Sequence, residues 1–193
     1  MLMVENDSGR VEGDLAAGRL ACPLCGGVLA RWGFARRRRV RSDAGVVEVR
    51  PRRGQCRGCG RTQVLLPDVL FLRRGDTVGV IGRALTAAAG GAGHRVAATV
   101  VGRPVSTVRG WLRRFRSVAV RAAAHFTVWA YRLDPNLAPV VPAGTTVGDA
   151  VEAVGVAARA ASLRLGPRPG WSWASVLTAG LLISNTNSPW PAP

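Results

Sequence analysis

Two short stretches decide the fold of the first third of this chain: CPLCGG at residues 22–27 and CRGCG at residues 56–60. In each stretch, two residues separate a pair of cysteines and glycine follows the second one. This spacing forms a tight turn whose backbone amides point at the sulfurs, so each pair can offer two thiolates to one tetrahedral ion. The pattern predicts one structural zinc ion. Its ligands would be Cys22, Cys25, Cys56 and Cys59.

Other cysteine chemistries fit this pattern less well. A mononuclear iron site of the rubredoxin type uses similar cysteine pairs, but a strongly basic neighbourhood is an unusual setting for a redox carrier. Disulfides are rare in the cytosol. A thioredoxin-like redox role needs a single pair within a βαβ pattern, and the sequence does not have that pattern.

Three short stretches around the cysteine pairs are typical of β-strands. We predict strands over 28–32, 46–50 and 62–66, with residues 33–45 forming an extended hairpin tip that is rich in arginine. Pro67 stops the third strand, because proline cannot donate to a sheet. This is the layout of a zinc ribbon.

The chain is strongly basic, with 27 basic and 11 acidic residues and a formal net charge of +16. Every basic side chain is arginine, and fourteen of them lie within residues 19–74, which hold three acidic residues. Such an excess favours a polyanionic partner and disfavours an ordinary metabolic enzyme. Along the hairpin, the candidate contacts to a phosphate backbone or a minor groove are Arg36, Arg37, Arg38, Arg39 and Arg41. A solvated turn is the alternative for this cluster.

After residue 75 the period of the hydrophobic residues changes from two to about 3.6. It predicts helices over 76–89, 94–101 and 105–116. Gly102 supplies the turn between the last two, and proline at position 104 suits the start of a helix. The three helices would form a tri-helical helix-turn-helix.

The same periodicity divides these helices into an inner and an outer face. The inward residues would be Val96, Ala97 and Val100 in the second helix and Val108, Trp111 or Leu112, and Phe115 in the third. The candidate DNA contacts are Val105, Ser106, Thr107, Arg109, Gly110 and Arg113, with Arg103 just after the turn. Arg109 is the best placed to read guanine, and Val105 suits a thymine methyl group.

In this order, the quoted motifs resemble the front half of insertion-sequence transposases. They resemble more closely a family of short helix-turn-helix proteins from high-GC bacteria. The similarity covers about residues 20–116 and includes CRGCGRTQVLLP at 56–67 and GHRVAATVVGRPVSTVRGWLRRF at 93–115. It implies zinc at the four cysteines and DNA contact from the 105–113 helix. Members of that family look like transposase-derived DNA binders without a catalytic domain.

Beyond residue 116 we predict helices over 116–133, 147–165 and 172–183, separated by Pro- and Gly-rich breaks. Their low net charge and many Ala and Leu residues favour packing or homodimer formation over a second DNA reader. A common transposase cuts DNA with three carboxylates that hold two metal ions. Here the acidic residues after position 116 are Asp134, Asp149 and Glu152, in a segment of helices and loops. We therefore expect no nuclease and no enzyme activity.

The expected fold class is α+β. The expected organisation is a flexible acidic segment at 1–18, the zinc ribbon at 19–74, the helix-turn-helix at 75–116, a helical tail at 117–184 and a frayed end at 185–193. No secretory signal or membrane span is evident, so we expect a cytoplasmic, nucleoid-associated protein.

The leading hypothesis is a zinc-containing, double-stranded DNA-binding protein, either a transcription factor or an orphan transposon-end binder. One alternative is a non-catalytic subunit of a transposition system. The other is a ribbon that binds RNA or protein.

Overall fold

A computed structural model describes residues 1–186 and 189–192, and this part of the chain has a mixed α+β architecture. The expected fold class is therefore confirmed. The strands are β1 (Leu2–Val4), β2 (Leu29–Phe34), β3 (Arg38–Ser42), β4 (Gly45–Val49), β5 (Arg52–Cys56) and β6 (Thr62–Pro67). The helices are α1 (Ser8–Ala16), α2 (Val78–Ala89), α3 (His94–Val101), α4 (Val105–Leu133), α5 (Thr146–Leu165) and α6 (Gly170–Leu177).

The strands form a four-stranded sheet in the order β1-β6-β5-β2 and a separate two-stranded sheet of β3 and β4. Strand β1 runs parallel to β6, whereas β6, β5 and β2 are antiparallel neighbours. The β3–β4 hairpin turns at Asp43 and Ala44, since Ser42 pairs with Gly45.

The predicted pairing of the second strand was wrong. Residues 45–49 pair with β3, and the partner of β2 is β5, which the sequence pattern did not predict. The reason lies at Gly54, in the middle of β5. A Cβ atom there would lie 3.2 Å from the Cβ of Leu29, a tight contact, so glycine favours the close approach of this strand to its neighbour. The hairpin turn consequently lies beyond most of the arginine run, which belongs to β3 and the residues before it.

The first eighteen residues, expected to be flexible, form β1 and α1. Their apolar side chains explain the difference, because Val4, Val11 and Leu15 are buried together with Leu29 and Leu65 of the sheet. The Asp7 side chain accepts the N–H of Arg10 and so caps the start of α1.

Helices α2, α3 and α4 begin within two residues of their predicted starts, and α3 has the predicted bounds. The prediction that Val96 and Val100 point inward was wrong, since they are 58% and 53% exposed. Ala97 is buried as predicted, and Ala98 and Val101 are buried in place of the two valines. Gly102 has φ +60°, a left-handed conformation that ends α3 and sets the direction of α4.

The break expected near residue 116 is absent from the described chain, where α4 is one helix of 29 residues. Its buried face continues through Ala119, Ala122, Phe126 and Ala130, which share one hydrophobic core with α5 and α6. Packing on a continuous apolar face thus keeps the helix intact.

The last helix, α6, ends at Leu177, whereas the apolar pattern predicted helix to residue 183. Backbone geometry ends it, because Ala179 has φ +49°. The expected frayed end includes Asn187, Ser188 and Pro193, which lie outside the described residues. Within the described part of this segment, the Trp190 ring packs against His125 of α4.

Of the helices within the described ranges, none combines the length and the apolar character that crossing a lipid bilayer requires.

Candidate metal centre and nucleic-acid interface

The fold brings the four cysteine sulfurs together. One pair precedes β2, and the other begins at the last residue of β5, so the antiparallel pairing of these strands places both pairs at the same end of the sheet. All four Sγ atoms lie within 4.8 Å of one another. The separation is 3.4 Å between Cys25 and Cys56 and 3.9 Å between Cys22 and Cys59. A metal–sulfur bond of about 2.3 Å in a tetrahedron requires sulfurs about 3.8 Å apart, so this group could hold one metal ion.

Backbone amides stabilise negative charge on these sulfurs. The amides of Gly58 and Cys59 donate to the Cys56 sulfur at 3.3 and 3.4 Å. The Cys59 amide is the main reason that the pKa of the Cys56 thiol falls to about 7. The Gly27 amide also lowers the pKa of Cys25, but neighbouring sulfurs, chiefly Cys56, raise it to about 11. The paired Cys25 and Cys56 thiols therefore share a proton, which a cation bound to the four sulfurs would displace.

Gly27, the second of two glycines after the first cysteine pair, leaves space for these sulfurs. A Cβ atom on Gly27 would lie 3.0 Å from the Cys56 sulfur and 3.4 Å from the Cys25 sulfur. The Gln63 side chain, which is 4% exposed, lies 4.0 Å from the Cys22 sulfur through its Nε2. Both contacts fit four thiolates around one ion. Elsewhere in the described chain, His, Cys, Asp and Glu side chains form no other group close enough to hold a metal.

The residues predicted to face DNA lie at the surface of the first turns of α4. Val105, Ser106, Arg109 and Arg113 are exposed, and Thr107 and Gly110 are half-buried. The opposite side of these turns is buried through Val108, Trp111, Leu112 and Phe115, as predicted. Among the described residues, no acidic side chain forms a salt bridge with Arg109 or Arg113.

The arginines of the hairpin differ in their surroundings. Arg36 and Arg39 are exposed, and Arg38 is half-buried. Arg37 forms an exposed ion pair with Glu48 of β4 at 2.8 Å. Arg36 and Arg37 precede β3, and strand alternation places Arg38 and Arg39 on opposite sides of it.

The structure gives Arg41 and Arg103, both predicted to contact DNA, a different partner. Each binds Asp76, which is 1% exposed, with a shortest N···O distance of 2.6 Å. Arg103 also donates to the backbone oxygen of Ser42 at 3.0 Å. These two guanidinium groups therefore connect the hairpin to the α3–α4 turn, and their contact with DNA stays a prediction.

Two residues at these sites were not singled out from the sequence. Asp76 is the sole acidic residue between positions 69 and 133, a segment rich in arginine, and this isolation was a signal that it would be paired. Trp32 is 55% exposed at a β-bulge in β2. The sequence Trp-Gly within a strand is a signal for such a bulge.

Comparison of the chain with protein-family models, with curated proteins and with solved structures found no match. Its function therefore has to be inferred from the residues and their geometry.

Proposed function

We propose that this chain is a zinc-containing protein that binds double-stranded DNA by placing the start of α4 in the major groove. In this proposal α2, α3 and α4 are a tri-helical helix-turn-helix, and the cysteine-bearing strands are a zinc ribbon.

One observation carries the proposal: the first turns of α4 are buried on one side, and on the other they present arginines that have no acidic partner among residues 1–186 and 189–192. Arg109 and Arg113 are four residues apart and therefore share a face of the helix. Arginine binds the O6 and N7 atoms of guanine with two hydrogen bonds, and such a pair contributes about 1–3 kcal/mol of discrimination. The short turn at Gly102 supports this assignment, because helix-turn-helix units cross their helices at such turns.

The metal would have a structural role. The donor set of four thiolates suits zinc, which forms closed tetrahedral sites with cysteine. Cys22 and Cys56 are buried within the apolar core of the sheet. An ion there would link the turn before β2 to the turn after β5. When bound, zinc would supply this crosslink and no reaction step.

The hairpin would make a second contact to the same duplex. Asp76 attaches the turn end of the β3–β4 hairpin to the turn before α4, so β3, which carries the exposed Arg39, is held in a fixed relation to the start of α4. Arg36 is exposed just before β3. We assign these two to the phosphate backbone, where arginine contributes affinity without sequence preference.

Salt dependence tests the electrostatic part of the proposal. The proposal assigns four arginines, Arg36, Arg39, Arg109 and Arg113, to phosphates or bases, so log K should fall with log salt with a slope of about −4. Affinity for a duplex oligonucleotide would be measured between about 50 and 200 mM salt by fluorescence anisotropy. A flat plot contradicts the proposal.

Base reading is tested by Arg109→Ala, with Arg132→Ala as the matched control at the far end of the same helix. Selection from a random duplex library would identify the preferred site of the unmodified protein. Arg109→Ala should then reduce the preference for this site over random DNA by about 10-fold or more. Arg132→Ala should leave it unchanged. Equal preference in the two variants would remove the assignment of Arg109.

The cellular role that we propose is transcription regulation or the recognition of a transposon end. The resemblance to the front half of transposases supports the second role, in which a catalytic partner would be encoded elsewhere. A strand-cleavage assay with magnesium should give no nicking by this chain alone.

Homodimer formation is also part of the proposal. The outer face of α4 beyond Ser117 carries the exposed apolar side chains of Val120, Val128 and Tyr131. Analytical ultracentrifugation with and without a Val120→Glu substitution tests it, because a charge at this position should shift a dimer towards monomer.

A further inference from the structure

The sheet of β2, β5 and β6 has two faces with different surroundings. Leu29, Cys56 and Leu65 point towards α1 and are buried with its apolar side chains. Because side chains alternate along a strand, the residues between them point to the other side. That second face, here called the open face, consists of Ala30, Trp32, Arg53, Gln55, Thr62 and Val64. All six are half-buried or exposed, and none belongs to a hydrophobic core of the described chain.

Trp32 is the dominant side chain of the open face. The register of β2 and β5 shifts between Arg31 and Gly33, so Trp32 is the extra residue of a β-bulge. At 55% exposure it is the most exposed aromatic side chain in the described chain. No aromatic or cation–π partner of its ring occurs among the described residues. A planar ring that is open to solvent can stack on another aromatic ring.

The charges of the two faces differ as well. On the covered face, Arg31 and Arg52 both form ion pairs with Glu12 of α1. On the open face, Arg53 donates to the Thr62 hydroxyl at 3.1 Å, and its Nε has no hydrogen-bond partner within the described chain. The three strands and the two cysteine turns contain no Asp or Glu. The open face is therefore positively charged without a compensating acid.

We propose that the open face binds a single-stranded segment of DNA, with one base stacked on Trp32 and a neighbouring phosphate bound by Arg53. Gln55 and Thr62 supply further polar groups beside the guanidinium. The positive charge argues for a nucleic acid and against an apolar peptide or a second copy of this basic chain. An exposed aromatic ring beside arginine is the arrangement by which proteins bind single strands without strong sequence preference.

The strand must be unpaired, because a base within a duplex already stacks on both of its neighbours and offers no free ring face. This site goes beyond the duplex contact of α4 and uses different residues. Only the choice of DNA over RNA rests on the proposed function, since a protein bound to a DNA duplex meets single-stranded DNA beside it.

The test uses the full chain loaded with zinc and a short fluorescent oligo(dT). Trp32→Ala should weaken oligo(dT) binding by about 10-fold, which corresponds to about 1.4 kcal/mol. Trp32→Phe, which keeps an aromatic ring, should bind within about three-fold of the unmodified protein. Val46→Ala removes a comparably exposed apolar side chain from β4, outside the open face, and should have no effect. Oligo(dT) should also quench tryptophan emission in the unmodified protein, and Trp32→Phe should remove most of this quenching.

Three results would overturn the proposal. The first is that oligo(dT) does not bind saturably. The second is that Trp32→Ala binds oligo(dT) as tightly as the unmodified protein does. The third is that oligo(U) of the same length binds more tightly than oligo(dT), which would reassign the site to RNA. Duplex binding is measured in parallel with Arg109→Ala. If Arg109→Ala has no effect on the duplex while Trp32→Ala still weakens oligo(dT) binding, the proposed function fails and the single-strand site stands. If Arg109→Ala weakens duplex binding while Trp32→Ala has no effect on oligo(dT) binding, the proposed function stands and the single-strand site is removed.

Discussion

Replacing Asp76 tests whether an ion triad around a buried carboxylate attaches the hairpin to the turn before α4. Asp76 is the shared partner of Arg41 and Arg103, and Asp76→Asn removes the negative charge while it keeps the size of the side chain. Both guanidinium groups would then lose their anion. Because one of them extends from β3 and the other follows the α3–α4 turn, the change should also loosen the contact between these two parts.

The expected loss follows from the burial of the three groups. Removing one partner of a fully buried ion pair costs about 3–5 kcal/mol. The side chains of Asp76 and Arg103 are 2% and 15% exposed, but that of Arg41 is 46% exposed, so solvent screens part of its interaction. Asn also retains one hydrogen-bond acceptor. We expect the free energy of unfolding to fall by about 2–4 kcal/mol, which lowers the melting temperature by about 5–15 °C in a chain of this size.

Urea denaturation of the metal-loaded protein measures this change, with Asp43→Asn as the control. Asp43 forms an ion pair with Arg83, in which the side chains are 52% and 46% exposed. Such an exposed pair contributes at most about 1 kcal/mol. The interpretation of the triad is refuted if Asp76→Asn costs less than about 1 kcal/mol, or if the control costs as much.

Three further predictions concern the core, the pH dependence and the metal. Gly82→Ala should lower the free energy of unfolding by about 1–3 kcal/mol, because its Cβ would lie 2.2 Å from the Trp171 ring. Gly79 lies on the same helix, and a Cβ there would meet no atom of the described chain within 4 Å. Gly79→Ala should therefore raise the free energy of unfolding by about 0.5 kcal/mol. Burial lowers the pKa of His125, so the unfolded chain binds a proton more tightly at this residue than the folded chain does. The free energy of unfolding should therefore fall as the pH drops below about 6.5. His125→Gln should remove this part of the pH dependence. Cys56→Ser should abolish stoichiometric zinc binding and lower the melting temperature as strongly as a chelator does.

Each of these has a direct measurement. Thermal melts of the two glycine variants should move in opposite directions, and equal melting temperatures would contradict the close contact with Trp171. Melts over a range of pH compare His125→Gln with the unmodified protein, and parallel curves would exclude His125 as the titrating group. Metal analysis and calorimetry follow the cysteine variant, and a chelator-treated protein with unchanged stability would contradict a structural role for the ion.

Much of the candidate site was predictable because its signals are local. Two cysteines separated by two residues and followed by glycine form a turn that needs no distant partner. The bounds of α3 and the start of α4 follow from Gly102 and Pro104, which determine backbone angles by their own chemistry. The buried side of the first turns of α4 follows from the helical period alone.

Errors arose where a distant contact decided the outcome. Strand β5 is a polar stretch by composition, and it pairs with β2 because Gly54 lets the backbone approach Leu29. The continuity of α4 past residue 116 depends on α5 and α6, which provide the apolar surface that its second half covers.

The sequence by itself determined the number and spacing of the cysteines that could hold a metal ion, the α+β class, the excess of arginine and the helix that presents Arg109. Tertiary structure alone decided which arginines are paired. Asp76 lies 35 residues from Arg41 and 27 from Arg103, and only the folded chain brings these two guanidinium groups to a carboxylate that is 1% exposed. A carboxylate in that environment must be paired, and it therefore binds two arginines that composition alone counts as free positive charge.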